Sequence, residues 1–241
     1  MNKTKSKRAV LAGIGVLVFV VALGGMMLFG TGKKAAARAP VPAPDVRKIR
    51  DAAEGGSATA QNVLGDLYAK GEGVPQNYGE AFKWYRSAAE KNVADAQYNL
   101  AVLYETGLGV TRDEAEAVKW HKKAAEQGHA GAEYNLAAMY ATGRGVPHDA
   151  TEAVRWYRKA AEQGDPLAQY NLGRRYEVGK GVPVDRVEAY KWQKLAARQG
   201  LEDAVTALIT LKGQMTREEI SEGERRSSKF VGGKPAPGAS D

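Results

Sequence analysis

The chain has 241 residues, 26% of them charged, no cysteine and a formal net charge of +7. The missing cysteines exclude disulfides, thiolate nucleophiles and thiolate metal ligands. The positive excess sits in the first 38 residues, which hold Lys3, Lys5, Lys7, Arg8, Lys33, Lys34 and Arg38 and no acid; beyond them 28 basic residues face 28 acidic ones. A body balanced in this way lacks the concentrated basic face of a nucleic-acid binder, so no nucleic-acid partner is expected.

Residues 1–8 form a basic tail. Ala9 to Gly30 is an uncharged run of 22 residues, long enough at about 1.5 Å per residue to cross a hydrocarbon core of about 30 Å. The apolar core of a cleaved secretory signal is shorter, about 7–15 residues, so residues 9–30 are predicted to be a transmembrane signal anchor. The alternative is cleavage near Ala35–Ala37 and release to the periplasm. Four basic side chains before the run and three after it favour a cytoplasmic N-terminus. In a bacterium this gives a single-pass inner-membrane protein with a periplasmic C-terminal domain. Residues 31–45, with Pro40, Pro42 and Pro44, are expected to be a semi-extended linker.

From here a period of 36 residues takes over. Trp84, Trp120, Trp156 and Trp192 share one column, and Tyr68, Tyr104, Tyr140 and Tyr176 another. Leu64, Leu100, Leu136 and Leu172 form a third, followed by the alanine pairs that begin at Ala88, Ala124, Ala160 and Ala196. A period in this range marks a solenoid whose units bury their apolar faces on one another. Gly71, Gly107, Gly143 and Gly179 follow helix-periodic segments, where a left-handed residue ends a first helix, A. Asn77, Asp113, Asp149 and Asp185, each with Glu three residues on, predict capping-box-like starts for a second helix, B. The expected repeats are 57–92, 93–128, 129–164 and 165–200. The aromatic columns are predicted to be core, because a large ring followed one turn later by small residues fills the gap between layers.

The pattern A-x-Y-N-L-(A/G)-x-x-Y-x-x-G-x-G-V-(P)-x-D-x-x-(E)-A-x-x-W-(Y)-x-x-A-A resembles the Sel1-like repeat, a relative of the tetratricopeptide repeat with a longer interhelix loop. The resemblance covers about residues 57–212 and implies an all-α fold, a right-handed superhelical solenoid of antiparallel α-hairpins, that acts as a protein-binding adaptor. Cysteine-paired members that bind or hydrolyse β-lactams carry a Cys pair in each repeat, which this chain lacks, so that activity does not transfer.

Residues 46–56 match the second half of a B helix, with Lys48 in the Trp column, and are predicted to cap the array. Residues 201–230 supply a fifth A helix and a last amphipathic helix opened by a Thr216–Glu219 capping box. The whole solenoid then spans 46–230, and the Gly/Pro-rich residues 231–241 are expected to be disordered.

Three histidines, His121, His129 and His148, show no metal-ligand spacing. The G-x-G loops follow helices rather than strands and lack a Lys-Ser/Thr, so they are expected to be structural. A noncatalytic chain without metal or cofactor is therefore expected. The family resemblance implies that A helices line the concave face. It places Asn62, Tyr98, Tyr134 and Tyr170 in one inward column and Asn99, Asn135 and Asn171, with Val63, in the next. An Asn amide donates and accepts, so this column either bonds within the superhelix or holds a ligand backbone. Columns that vary against the constant scaffold are candidates for specificity: Asp66, Val102, Ala138, Arg174 and Ala69, Glu105, Ala141, Glu177. Arg174 and Arg175 together suggest docking of a carboxylate through a bidentate guanidinium contact. The predicted partner-binding set is Tyr98, Asn99, Glu105, Tyr134, Asn135, Tyr170, Asn171, Arg174 and Arg175. The expected function is a cell-envelope scaffold that binds a peptide or protein; a receptor for peptidoglycan or another envelope glycan is the alternative.

Overall fold

The computed structural model describes residues 45–230. The predicted basic tail, membrane span and C-terminal tail, and nearly all of the linker, lie outside these residues. Among the described residues there are eleven helices and no strand, and no helix is long and apolar enough to cross a membrane. α1 (Val46–Glu54) is the N-terminal cap. Four A–B hairpins follow: α2 (Ala58–Lys70) with α3 (Tyr78–Glu90), α4 (Ala94–Thr106) with α5 (Glu114–Glu126), α6 (Ala130–Thr142) with α7 (Ala150–Glu162), and α8 (Pro166–Val178) with α9 (Arg186–Arg198). α10 (Glu202–Lys212) and α11 (Arg217–Lys229) close the chain.

Each hairpin is built by backbone geometry that the sequence columns specify. The A helices end on Gly71, Gly107, Gly143 and Gly179 in the left-handed region, with the glycine N–H returned to the last turn. Asn77, Asp113, Asp149 and Asp185 cap the B helices, their side-chain oxygens accepting from the amide three residues on. The reciprocal half of a capping box is absent at these four sites. The cap residue's own N–H donates instead to the carbonyl of the Tyr column, at 2.9, 2.9, 3.0 and 3.0 Å for Tyr68, Tyr104, Tyr140 and Tyr176. That bond ties the start of B to the end of A across the loop. The freed glutamates pair with Lys83, Lys119, Arg155 and Lys191 on the helix surface. Thr216–Glu219 does form a full capping box.

Layers are joined in two ways. Leu64, Leu100, Leu136 and Leu172 and the first alanine of each pair are wholly buried, each leucine contributing roughly 1.5–3 kcal/mol by leaving water. At the turns, Gln61, Gln97 and Gln169 donate from Nε2 to the carbonyls of Ala53, Ala89 and Ala161 at the end of the preceding B helix. Gln127, Gln163 and Gln199 then donate to the next member of that column, reaching Gln97, Glu133 and Gln169 at 2.7–3.0 Å. Glu133 is the exception in the column. It is 3% exposed, and an ionised carboxylate cannot donate to a carbonyl as its glutamine counterparts do. Burial pushes its pKa above the usual carboxylate range, with the Gln163 hydrogen bond opposing.

The second glycine of each loop sets the distance between layers. Gly145 and Gly181 have φ of 66° and 82°, and a methyl group on them would lie 2.2 and 2.1 Å from the carbonyl oxygens of Glu114 and Ala150, in the first turns of the preceding B helices. These two loops thus rest directly on backbone, whereas in the first loop Gly73 meets the Val46 side chain.

The predicted aromatic core is only half realised. Trp156 and Trp192 are buried at 2% and 3% exposure, while Trp84 and Trp120 and the whole Tyr68 column are half-buried. The Tyr85, His121, Tyr157 and Gln193 column lies deeper, at 4% exposure or less. His121 is fully buried, because its column faces the A helix of its own repeat. The C-terminal cap also differs from a repeat, since α11 packs on α9 rather than pairing with α10. Ile209 occupies the column of Gly65, Ala101, Ala137 and Gly173, where small size is required: a methyl group on Gly65 would stand 2.6 Å from the Tyr85 ring. Isoleucine there denies a fifth B helix its seat, and Ile209 stays 68% exposed.

Two substitutions test these contacts. Gly145→Ala is expected to cost about 2 kcal/mol or more, lowering Tm by roughly 4–8 °C in a calorimetric scan. Glu133→Gln restores the column and is expected to gain about 1 kcal/mol near pH 7.5. Because the folded pKa of Glu133 is raised, the wild type loses stability as pH climbs through it, so the gain should shrink toward pH 4 when urea unfolding is followed against pH. A gain independent of pH would contradict this account.

Candidate functional site

The A helices carry the candidate residues one repeat apart, and the buried Tyr85 column decides what they bond to. In the first repeat Tyr85 donates to Asp66 at 2.7 Å, and Asn99, from the second repeat, donates to the same oxygen at 3.2 Å and lies 3.5 Å from Asn62 Oδ1. Burial raises the Asp66 pKa against these bonds, and burial with the Asp66 charge raises that of Tyr85.

In the second repeat His121 replaces Tyr85 and Glu105 takes the acidic role. Glu105 Oε2 lies 3.5 Å from His121 Nε2, and Oε1 accepts from Arg144 of the third repeat's loop at 2.9 Å. The His121 hydrogen bond, followed by that of Arg144, holds the Glu105 carboxyl below its ordinary range despite burial. The Asn135 amide is 3.5 Å from the same His121 nitrogen, and Nδ1 is enclosed without a partner. Tyr98 stacks on His129 with centroids 4.5 Å apart and tilts toward His121 at 5.6 Å. His129 also caps α6 through Nδ1.

In the third repeat Tyr157 tilts against Tyr134 at 5.8 Å, with the Arg175 guanidinium 5.7 Å from the Tyr157 ring centre. In the fourth, Gln193 and Arg174 both donate to Glu177, at 2.9 and 2.8 Å. Asn171 donates to Leu167 in its own helix, and Tyr170 is half-buried.

The face thus contains two kinds of candidate. Asn99 and Glu105 are committed to bonds between repeats, while Arg174 is exposed and pairs with Glu177 along its own helix. Tyr98, Tyr134, Tyr170, Asn135, Asn171 and Arg175 keep part of their surface in solvent. Sequence reasoning missed Tyr85, His121, Tyr157 and Gln193 as the partners of the variable columns. The signal was available in the repeat columns: the Tyr85 column changes together with the Asp66 and Ala69 columns, which lie about one turn apart on the A helix. Among the described residues no group of three or more acids and histidines is placed to hold a metal.

Stacked helical hairpins with one-residue variation on a fixed frame define a tandem-repeat scaffold, in which function resides on the face and not in a catalytic cluster. The Sel1 repeat profile matches residues 58–93, 94–129, 130–165 and 166–201, and the chain belongs to the Sel1 repeat family. Proteins of this family are generally noncatalytic scaffolds for protein interaction. The chain is similar to a protective antigen present in uropathogenic Escherichia coli strains that displays an SLR fold, at 35% identity and a TM-score of 0.69, covering 76% of this chain and 40% of that one. It is also similar to a Sel1 repeat protein from Oxalobacter formigenes, at 33% identity and a TM-score of 0.64, covering 77% and 84%. Comparison with curated proteins gives no match.

Glu105→Gln tests the brace between the second and third repeats. Its folded pKa is lowered, so the carboxylate stabilises above the unfolded value and the benefit is lost as pH falls through the folded one. The variant is expected to be about 1–3 kcal/mol less stable at pH 7, with the difference closing below about pH 4 in urea titrations.

Proposed function

We propose that this chain is a noncatalytic cell-envelope scaffold, anchored by residues 9–30 with its repeats in the periplasm, that binds a peptide or protein on a concave face lined by A helices. The observation that carries this reading is the half-buried row of Tyr98, Tyr134 and Tyr170, spaced one repeat apart and flanked by Asn135, Asn171, Arg174 and Arg175. Such a row offers amphipathic contact area that needs little further ordering on binding. Asn99 and Glu105 serve the same face by fixing its shape. The family's general role as a scaffold supports the reading.

The test is site-specific photocrosslinking in intact cells. A photoreactive residue at Tyr170 or Tyr134 is expected to capture a discrete protein partner, while one at Lys122, exposed on a B helix, does not. Equal capture at both faces, or capture of glycan alone, would refute the proposal. Deleting residues 9–30 is expected to release the protein from membranes washed at high pH; retention would refute the anchor.

A further inference from the structure

Arg175 departs from a column that the other three repeats keep apolar. The equivalent residues Leu67, Leu103 and Met139 are 4%, 4% and 0% exposed. An arginine in a core column must lose hydration or find an anion, since an unpaired charge is costly to bury. Arg175 is half-buried; its guanidinium bonds the Tyr157 hydroxyl, while Nη1 is enclosed and without a hydrogen-bond partner. Among the described residues no carboxylate pairs with it, although its neighbours are matched: Arg174 by Glu177 and Arg144 by Glu105. Around it stand Tyr157, whose ring it faces at 5.7 Å, and Tyr134, 5.8 Å from Tyr157. Burial raises the pKa of both phenols, so each remains a hydroxyl able to donate.

We propose that Arg175 is the anchoring cation for a single carboxylate of a bound peptide, seated between the third and fourth repeats beside the hydroxyls of Tyr134 and Tyr157. This rests on the peptide-binding reading above and specifies the chemistry of its partner. The charge count selects the ligand. One guanidinium is unmatched, which suits a monoanion better than a doubly charged phosphate, and the planar fork of arginine matches a carboxylate in two-point contact. The stacking of Arg175 on Tyr157 contributes on its own only about 0.5–2 kcal/mol, so an arginine serving structure alone gains little over the methionine of the third repeat.

The test compares the full-length wild type with R175M, which restores the column, both immobilised in detergent. Three pools of random heptapeptides are applied: one free of Asp and Glu with a free C-terminal carboxylate, the same pool amidated, and an amidated pool with one fixed Glu. The wild type is expected to retain one or both carboxylate-bearing pools over the amidated acid-free pool. Preference for the first assigns a chain terminus, and preference for the third an acidic side chain. R175M is expected to lose that preference, a drop of roughly ten- to a hundredfold in retention, while its Tm rises by roughly 2–4 °C. Equal retention of all pools by the wild type, an undiminished preference in R175M, or a fall in its Tm would overturn the carboxylate site and leave peptide binding standing. No retention of any pool by the wild type would overturn the peptide-binding reading itself.

Discussion

The stack depends on backbone meeting backbone. Where Gly109, Gly145 and Gly181 rest on the first turn of the preceding B helix, a methyl group would come within 2.4 Å of a carbonyl oxygen, so the layer spacing is fixed by atoms that cannot be trimmed. Every contact between repeats inherits that register. Gln163 meets Gly128 O across 35 residues, Arg144 meets Glu105 across 39, and Asn99 meets Asp66 across 33. A looser loop would move these side chains together, since each is carried on a helix whose end the loop positions. The bond from the B-helix cap amide to the Tyr-column carbonyl works with the same geometry, closing the hairpin before it stacks.

On this invariant frame the buried polar column behaves as a set of local solutions. Tyr85 with Asp66, His121 with Glu105 and Arg144, and Gln193 with Glu177 each bring a donor to a carboxylate that burial would otherwise penalise. The fourth case, Tyr157 with Arg175, reverses the sign and brings a cation with no carboxylate. Repeats that fold alike can therefore differ in charge on one face without altering the scaffold, because in three of the four the change is answered a few ångströms away. This separation of frame from face gives a solenoid a stable shape and an adjustable surface.

Termination obeys the same sterics. The interior A helices present Gly or Ala to their B helix, whereas α10 presents Ile209, and the chain turns α11 back onto α9, where Gly223 lies against the Tyr190 ring and Tyr190 bonds Glu224. A single bulky residue in a small-residue column is enough to stop propagation while leaving an apolar side chain exposed.

The sequence by itself determined the repeat, the helix boundaries and the caps. Each depends on residues close in the chain: a left-handed glycine, an Asn or Asp three residues before an acid, a Trp one turn before an alanine pair. Period alone could not show that Trp84 and Trp120 stay half-exposed while His121 is fully enclosed, or that Glu105 is held between repeats by Arg144. Those outcomes depend on which column of one helix faces which column of another, at separations of up to 39 residues. Tertiary structure decided them because the cost of burying a charge depends on the distance to its counter-charge, and only packing sets that distance.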